Sequence, residues 1–371
     1  MNNIKVPYIN LISQNSIIKK KLLESVGKVI SHGGYILGPE VKSFEKEFSD
    51  YCGTKYAIGV DNGTSALILV LKALSIGHGD EVITVPNSFL ASASCIALIG
   101  AKPVFVDIQD DYNINPNLIE KAITSKTKAI IPVHLTGHPA EMNAILNIAK
   151  KHNLHVIEDC AQAVGAAYYE KRVGGFGIAG CFSLHPLKNL NAIGDGGVIV
   201  TNDTQLYEKL LKARNHGLIN RDECEFWSIN SRLDTIQAAM LLVKMKYLDK
   251  WIKKRRGNAE FYKKRISKYV KVPKDKDYEF SVYHTFVVQA ENREELMKYL
   301  LDKGIETKIH YPIPIHLQQA SNNLGYKIGD FPQCDNQVKK ILSLPVYPEL
   351  TIEQIELVAD SIKSFYEQKT F

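Results

Sequence analysis

Short apolar runs alternate with longer amphipathic stretches through the first 200 residues. The runs Tyr56–Val60, Glu81–Val85, Pro103–Asp107, Ala129–His134, His155–Glu158, Cys181–Ser183 and Gly197–Thr201 are short and β-rich and read as strands. Between the earlier ones lie helix-length segments, Ser65–Leu74, Asn117–Ile123 and Glu141–His152. Strands alternating with helices predict a mostly parallel α/β sheet, and near-continuous apolar strands fit a sheet covered on both faces. From Asp234 to about Val270 the period changes. Ile236, Met240, Val243, Tyr247 and Trp251 recur at spacings of three and four, one side of a long helix with Asp234 in its first turn. Within it, Lys253-Lys254-Arg255-Arg256 reads as a solvated helix face. A second αβ region follows: strand Tyr283–Gln289, helix Arg293–Lys303, the segment Gly304–His310, and a proline-punctuated ordered loop, Tyr311–His316.

Composition narrows the class. With 371 residues, 45% hydrophobic and 23% charged, the chain is an ordinary globular protein of two or three average domains by length. A net charge of +6 spread over that length does not suggest nucleic-acid binding. The six cysteines are far apart and form no Cys-x-x-Cys pair, so buried reduced thiols are expected rather than disulfides or a metal site. The start of the chain has no apolar signal core. The longest apolar stretch, Phe89–Ala101, is shorter than the roughly 20 residues of a membrane span. A cytoplasmic protein with no membrane partner is the expectation.

Four segments could carry chemistry. Gly175-Phe-Gly177-Ile-Ala-Gly180 spells a dinucleotide fingerprint but leads into a strand instead of opening a helix, so it reads as a tight turn. Asp61-Asn-Gly-Thr-Ser65 follows a strand and opens a helix, where free N–H groups suit a phosphate; capping by Asn62 or Thr64 explains the same residues. Glu158 and Asp159 end a buried strand and point to opposite sides, so at most one serves a given site. Lys188 follows the strand Cys181–Ser183 and precedes the turn Gly194-Asp-Gly-Gly197. A lysine alone is usually solvated. Phosphate cradle, strand-end carboxylate and lysine together are what pyridoxal phosphate requires: a seat for its phosphate, an anion at its ring nitrogen and an amine for its aldehyde.

With these segments in order, the chain resembles the DegT/DnrJ/EryC1/StrS sugar aminotransferases, pyridoxal-phosphate enzymes of fold type I. Further matches run from Val6–Leu11 through Gly34–Pro39, Pro86–Ala91, Val133–Gly137, Arg214–Gly217 and Asn230–Asp234 to His310–His316. The resemblance implies a large cofactor-binding domain, residues 1–245, with a mostly parallel seven-stranded sheet, and a smaller C-terminal α/β domain, residues 246–371. It implies that Lys188 binds pyridoxal 5'-phosphate covalently and later moves the proton, that Asp159 pairs with the ring nitrogen, that Gln162 contacts the ring's phenolic edge and that Phe89 stacks on it. Gly63, Thr64, Ser65 and Ser183 would hold the phosphate, and Asn230 would reach the phosphate of the other subunit of a homodimer with shared active sites. His310, Tyr311 and His316 fall where relatives line the substrate cleft. His185 stands where many relatives carry tyrosine or phenylalanine.

The activity so implied is transamination. L-glutamate gives its amine to the cofactor, leaving pyridoxamine phosphate, which then aminates a nucleotide-diphosphate keto sugar. The opening Val6–Leu11 and the Lys188-Asn-Leu setting lean toward a dTDP-3-keto-6-deoxyhexose, in a pathway feeding polysaccharide or glycosylated products. Alternative readings are a 4-keto nucleotide sugar, a cyclitol or sugar phosphate, and a catalytically silent regulatory relative. No metal is implied.

Overall fold

The computed structural model describes residues 4–368. In chain order the strands are β1 (Tyr56–Val60), β2 (Glu81–Thr84), β3 (Lys102–Phe105), β4 (Thr127–Ile130), β5 (His155–Asp159), β6 (Ala167–Tyr168), β7 (Lys171–Arg172), β8 (Ala179–Ser183), β9 (Gly197–Thr201), β10 (Glu279–Phe280), β11 (Phe286–Gln289) and β12 (Ile341–Leu344). A seven-stranded sheet has the order β1-β9-β8-β5-β4-β2-β3 and contains every strand predicted before residue 202. The neighbours β3, β2, β4, β5 and β8 run parallel; β9 is antiparallel to both β8 and β1.

Alternating side chains explain why these strands are apolar throughout. On β8, Phe182 packs with Phe44, Phe48 and Leu241 on one face, while Cys181 joins Leu67, Leu71 and Leu210 on the other. On β9, Val198 and Val200 take the first face and Ile199 the second. Both faces are covered by helices, so neither can carry polar residues without cost.

The long helix spans Thr235–Ile266, with Asp234 as its N-cap residue rather than part of the first turn. It runs without interruption across position 245. Its first half packs on the sheet through Leu241 and Leu248, and its second half, through Ala259, Tyr262 and Ile266, joins a separate core with β11, β12 and the helix Ile352–Glu367. Val6 is buried in that second core and bridges Ile305, so the start of the chain packs with its end. Arg255 departs from the expected solvated face: it is 4% exposed, whereas Lys253 and Lys254 are exposed. The cysteines are free. Cys224 is exposed, unlike the other five, and its thiol donates to the carbonyls of His216 and Phe226. Among the described residues no helix is long and apolar enough to cross a membrane.

Candidate active site

The strand-end motifs converge on one cavity of about 620 Å³, lined among others by Gly63, Thr64, Ser65, Phe89, Asp159, Gln162, Ser183, His185, Lys188, His310 and Tyr311. It opens where the parallel strands end, as expected for an open α/β sheet.

The helix Gly63–Ala73 points its N-terminus into this cavity. Asn62 is its cap, and its side chain accepts from Ser65 N at 2.8 Å, so the capping alternative holds for that amide. The amides of Gly63 and Thr64 have no intrahelical acceptor by position and face the cavity with the positive end of the helix. A Cβ on Gly63 would stand 2.9 Å from Ser183 Cβ, so glycine allows the helix start to close on β8. Gly197 has the same reason: a Cβ there would meet the Asn62 carbonyl oxygen at 2.5 Å. The glycine-rich turn after Lys188 thus lets β9 begin directly beside this helix start.

Asp159 is buried and presents its carboxylate to the cavity. Ser92 Oγ donates to Oδ2 at 2.7 Å and Ala161 N donates to Oδ1 at 3.1 Å. Since Ser92 spends its proton there, it accepts from Ser88 Oγ at 2.9 Å. Ser92 had no individual signal in the sequence, because it sits inside an apolar helix and acts through space. Glu158, one residue earlier, faces away. Its carboxylate accepts from the amides of Gly174, Phe176 and Gly177 at 2.7–2.8 Å and from His134 Nε2 at 3.1 Å. Ala140 N donates to His134 Nδ1, so Nε2 carries the ring proton. The glycine turn that mimics a dinucleotide fingerprint is therefore a seat for the protein's own carboxylate.

Lys188 lies across the cavity. Desolvation pushes its amine down to about 8, against a smaller upward pull from Asp159. Asn191 Nδ2 holds the Lys188 carbonyl at 3.0 Å, and Lys244, wholly buried, donates to Asn191 Oδ1. Gln162 joins two predicted groups: Oε1 accepts from Thr136 N at 2.7 Å and Nε2 donates to Tyr311 Oη at 3.3 Å. Phe89 is half exposed at the rim, its ring 5.8 Å from that of Tyr311. Burial, with help from Lys188, lowers His310 to about 4 and lowers His185. His284, not foreseen, is pushed well below its usual range by the same causes, and Arg255 also acts on it.

Two predicted residues lie elsewhere. Asn230 is exposed, bridged to Asn215, and does not line the cavity of its own chain. His316 is 2% exposed, with Nε2 3.4 Å from Asp335 Oδ1 and its ring 4.7 Å from Phe331, also outside that lining. Arg255, His284 and Tyr347 also line the cavity, from segments that carried no motif, and Tyr8 lines it from the matched segment Val6–Leu11.

Known proteins are similar to this chain along nearly its whole length. The dTDP-3-amino-3,6-dideoxy-alpha-D-galactopyranose transaminase of Aneurinibacillus thermoaerophilus is 44% identical, covering 97% of this chain and 99% of its own. A Geobacillus stearothermophilus protein named pleiotropic regulatory protein is also 44% identical, over 98% and 99%. The crystal structure of Streptomyces venezuelae DesV in complex with a ketimine intermediate superposes with a TM-score of 0.96 at 38% identity, covering 99% of both chains. Residues 16–363 match the DegT/DnrJ/EryC1/StrS aminotransferase family, and the chain belongs to it as a pyridoxal-phosphate-dependent aminotransferase.

Proposed function

We propose that this aminotransferase moves the amino group of L-glutamate onto a dTDP-linked 3-keto-6-deoxyhexose. The observation that carries the reading is the meeting of Lys188, Asp159 and the Gly63–Ala73 helix start in one cavity, together with 44% identity to a dTDP-3-aminosugar transaminase along the full chain. The cavity fits the cofactor. An anion seat closed by Ser183, a buried carboxylate and an amine of lowered basicity line the same space.

When bound, pyridoxal phosphate supplies an electron sink that acidifies the carbon bearing the amino group. The amides of Gly63 and Thr64 and the hydroxyls of Ser65 and Ser183 receive the phosphate. Asp159, held by Ser92 and the Ala161 amide, keeps the ring nitrogen protonated by charge pairing. Phe89 covers one ring face, and Gln162 borders the phenolic edge. Lys188 anchors the cofactor and moves the proton to and from the reacting carbon. Its pKa of about 8 leaves a usable neutral fraction near pH 7, where an unperturbed lysine has almost none. Asn230, exposed and away from its own cavity, reaches the phosphate of a second copy, and His185, His310 and Tyr311 meet the sugar.

A regulatory role finds support in the name of one relative. The residues that hold and use the cofactor favour catalysis. Loading the protein with glutamate and offering dTDP-, UDP- and GDP-linked keto sugars beside free cyclitol ketones tests the reading. Turnover only of the dTDP 3-ketone is expected; turnover only of free ketones, or none after full cofactor loading, overturns it.

A further inference from the structure

The cofactor reading leaves one wall of the cavity unused. Arg255 reaches it from the helix Thr235–Ile266, beside Tyr8, Ile9, Val346 and Tyr347. Its Nη1 donates to the carbonyls of Tyr283 and His284, both at 3.3 Å. Nε is fully buried with no acceptor among the described residues, and the Tyr347 hydroxyl is in the same state. The acidic residues lining the cavity, Asp159 and Asp195, belong to the strand-end motifs on the sheet side, and Glu349 attracts the guanidinium without forming an ion pair among the described residues. Burial lowers Arg255 only to about 10, so it stays charged at neutral pH. A buried guanidinium and a buried phenol with unspent donors, both in the wall of a cavity, call for an anion.

We propose that Arg255 and the Tyr347 hydroxyl form the subsite that receives a carboxylate of the amino donor, an inference that rests on the transamination reading. The planar fork of a guanidinium matches a carboxylate, and the phenol adds a third donor. Position favours the donor's carboxylate over the diphosphate of a nucleotide sugar. Arg255 is hydrogen-bonded to the His284 carbonyl, and the His284 ring Nδ1 lies 3.4 Å from Oδ1 of Asn189, the residue that follows Lys188. The subsite is therefore close to the reacting amine. In an amino acid the α-carboxylate is one bond from the reacting carbon, whereas in a nucleotide sugar the sugar ring separates diphosphate from ketone.

Holoenzyme carrying Arg255→Gln or Tyr347→Phe tests this, with cofactor content and melting temperature recorded for each. The second variant leaves the Arg255 contacts to the 283–284 backbone intact, so it remains informative if Arg255→Gln does not fold. Calorimetric titration with succinate, a dicarboxylate that cannot transaminate, should show binding weakened about 10- to 100-fold in Arg255→Gln and several-fold in Tyr347→Phe. Titration with dTDP should be unchanged in both. Glutamate-driven loss of the aldehyde-form absorbance should need correspondingly higher glutamate, with the limiting rate less affected. Wild-type succinate affinity in the variants, or weakened dTDP binding with succinate intact, overturns the proposal. Absence of any glutamate-driven change in the wild type would instead sink the transamination reading beneath it.

Discussion

Glu158 and Asp159 are neighbours at the end of β5, yet the fold gives them opposite surroundings. On the Glu158 side, three turn amides and His134 occupy the carboxylate, and the region is closed. On the Asp159 side, one serine and one amide hold the group while its remaining capacity faces a cavity shared with Lys188. The difference teaches where to look for chemistry in such a sheet. Carboxylates that the protein satisfies hold the structure together, and those it orients without saturating are available to a ligand. The same contrast separates Arg255, which lines the cavity and donates only to backbone carbonyls, from Arg214, which is tied to the Glu45 carboxylate and lies outside the cavity lining.

The largest expected effect comes from the open side. Lys188→Ala should lower transamination by about a thousandfold or more, since on the proposed reading it removes both anchor and proton carrier. Cofactor absorbance sensitive to borohydride should vanish with it, while the folded protein persists. The pH dependence sharpens the point. The neutral amine is the nucleophile, so recombination of the cofactor-free protein with pyridoxal phosphate should quicken as pH rises through about 8, the value to which burial lowers Lys188. A midpoint near 10.4, that of an unperturbed lysine, would mean the amine is not desolvated.

The closed side should fail differently. Glu158→Gln puts an amide where three backbone donors converge, leaving donors facing donors, and should cost about 3 kcal/mol of stability by denaturant unfolding. Asp159→Asn removes charge from a partly solvated cavity, so it should leave stability within about 1 kcal/mol while sharply reducing turnover. If both variants lost stability equally, the distinction between the two carboxylates would not hold.

How much of this could be read along the chain follows from the same geometry. The sheet and the meeting of its strand-end segments in one cavity were legible because those residues sit within a few positions of a strand end, where apolar run, glycine and hydroxyl occur together. Asp159, Ser183 and Lys188 came from such segments. The opposite wall was not legible. Arg255 lies in a basic run that reads as surface, and its burial depends on the 283–284 backbone and the Tyr347 segment folding over it. Ser92 was hidden for a related reason: nothing local distinguishes a helical serine that bonds a carboxylate 67 positions away. His316 erred the other way, since a motif put it in the cleft and the fold buries it against Asp335 and Phe331.

Lys244 tests the closed side from within. It is fully buried, donates to Asn191 Oδ1 and has its pKa lowered to about 8 by desolvation. Between about 8 and 10.4 the unfolded chain binds more protons at this lysine than the folded one, so stability rises with pH across that window and the penalty is full below it. Lys244→Met removes a penalty of about 3 kcal/mol but leaves the Asn191 oxygen unmatched, which costs about 1–3 kcal/mol. The variant should be more stable than the wild type by about 1 kcal/mol at pH 7 and less stable above about pH 10. Turnover should fall several-fold, because Asn191 also holds the Lys188 carbonyl.

His316→Gln should have the smallest effect, and for that reason it examines the boundary of the open region. The ring is stacked edge-on to Phe331, and its nearest acid, Asp335, is separately engaged by the Gly329 amide. Glutamine places an amide donor near Asp335 and loses the aromatic contact, a change of about 0.5–1.5 kcal/mol in stability. Since no His316 atom lines the cavity, KM for the keto sugar and the limiting rate should each stay within about twofold of wild type. A tenfold rise in KM without loss of stability would extend the substrate cleft through the proline-punctuated loop to Asp335, and the division between closed and open polar groups would have to be redrawn there.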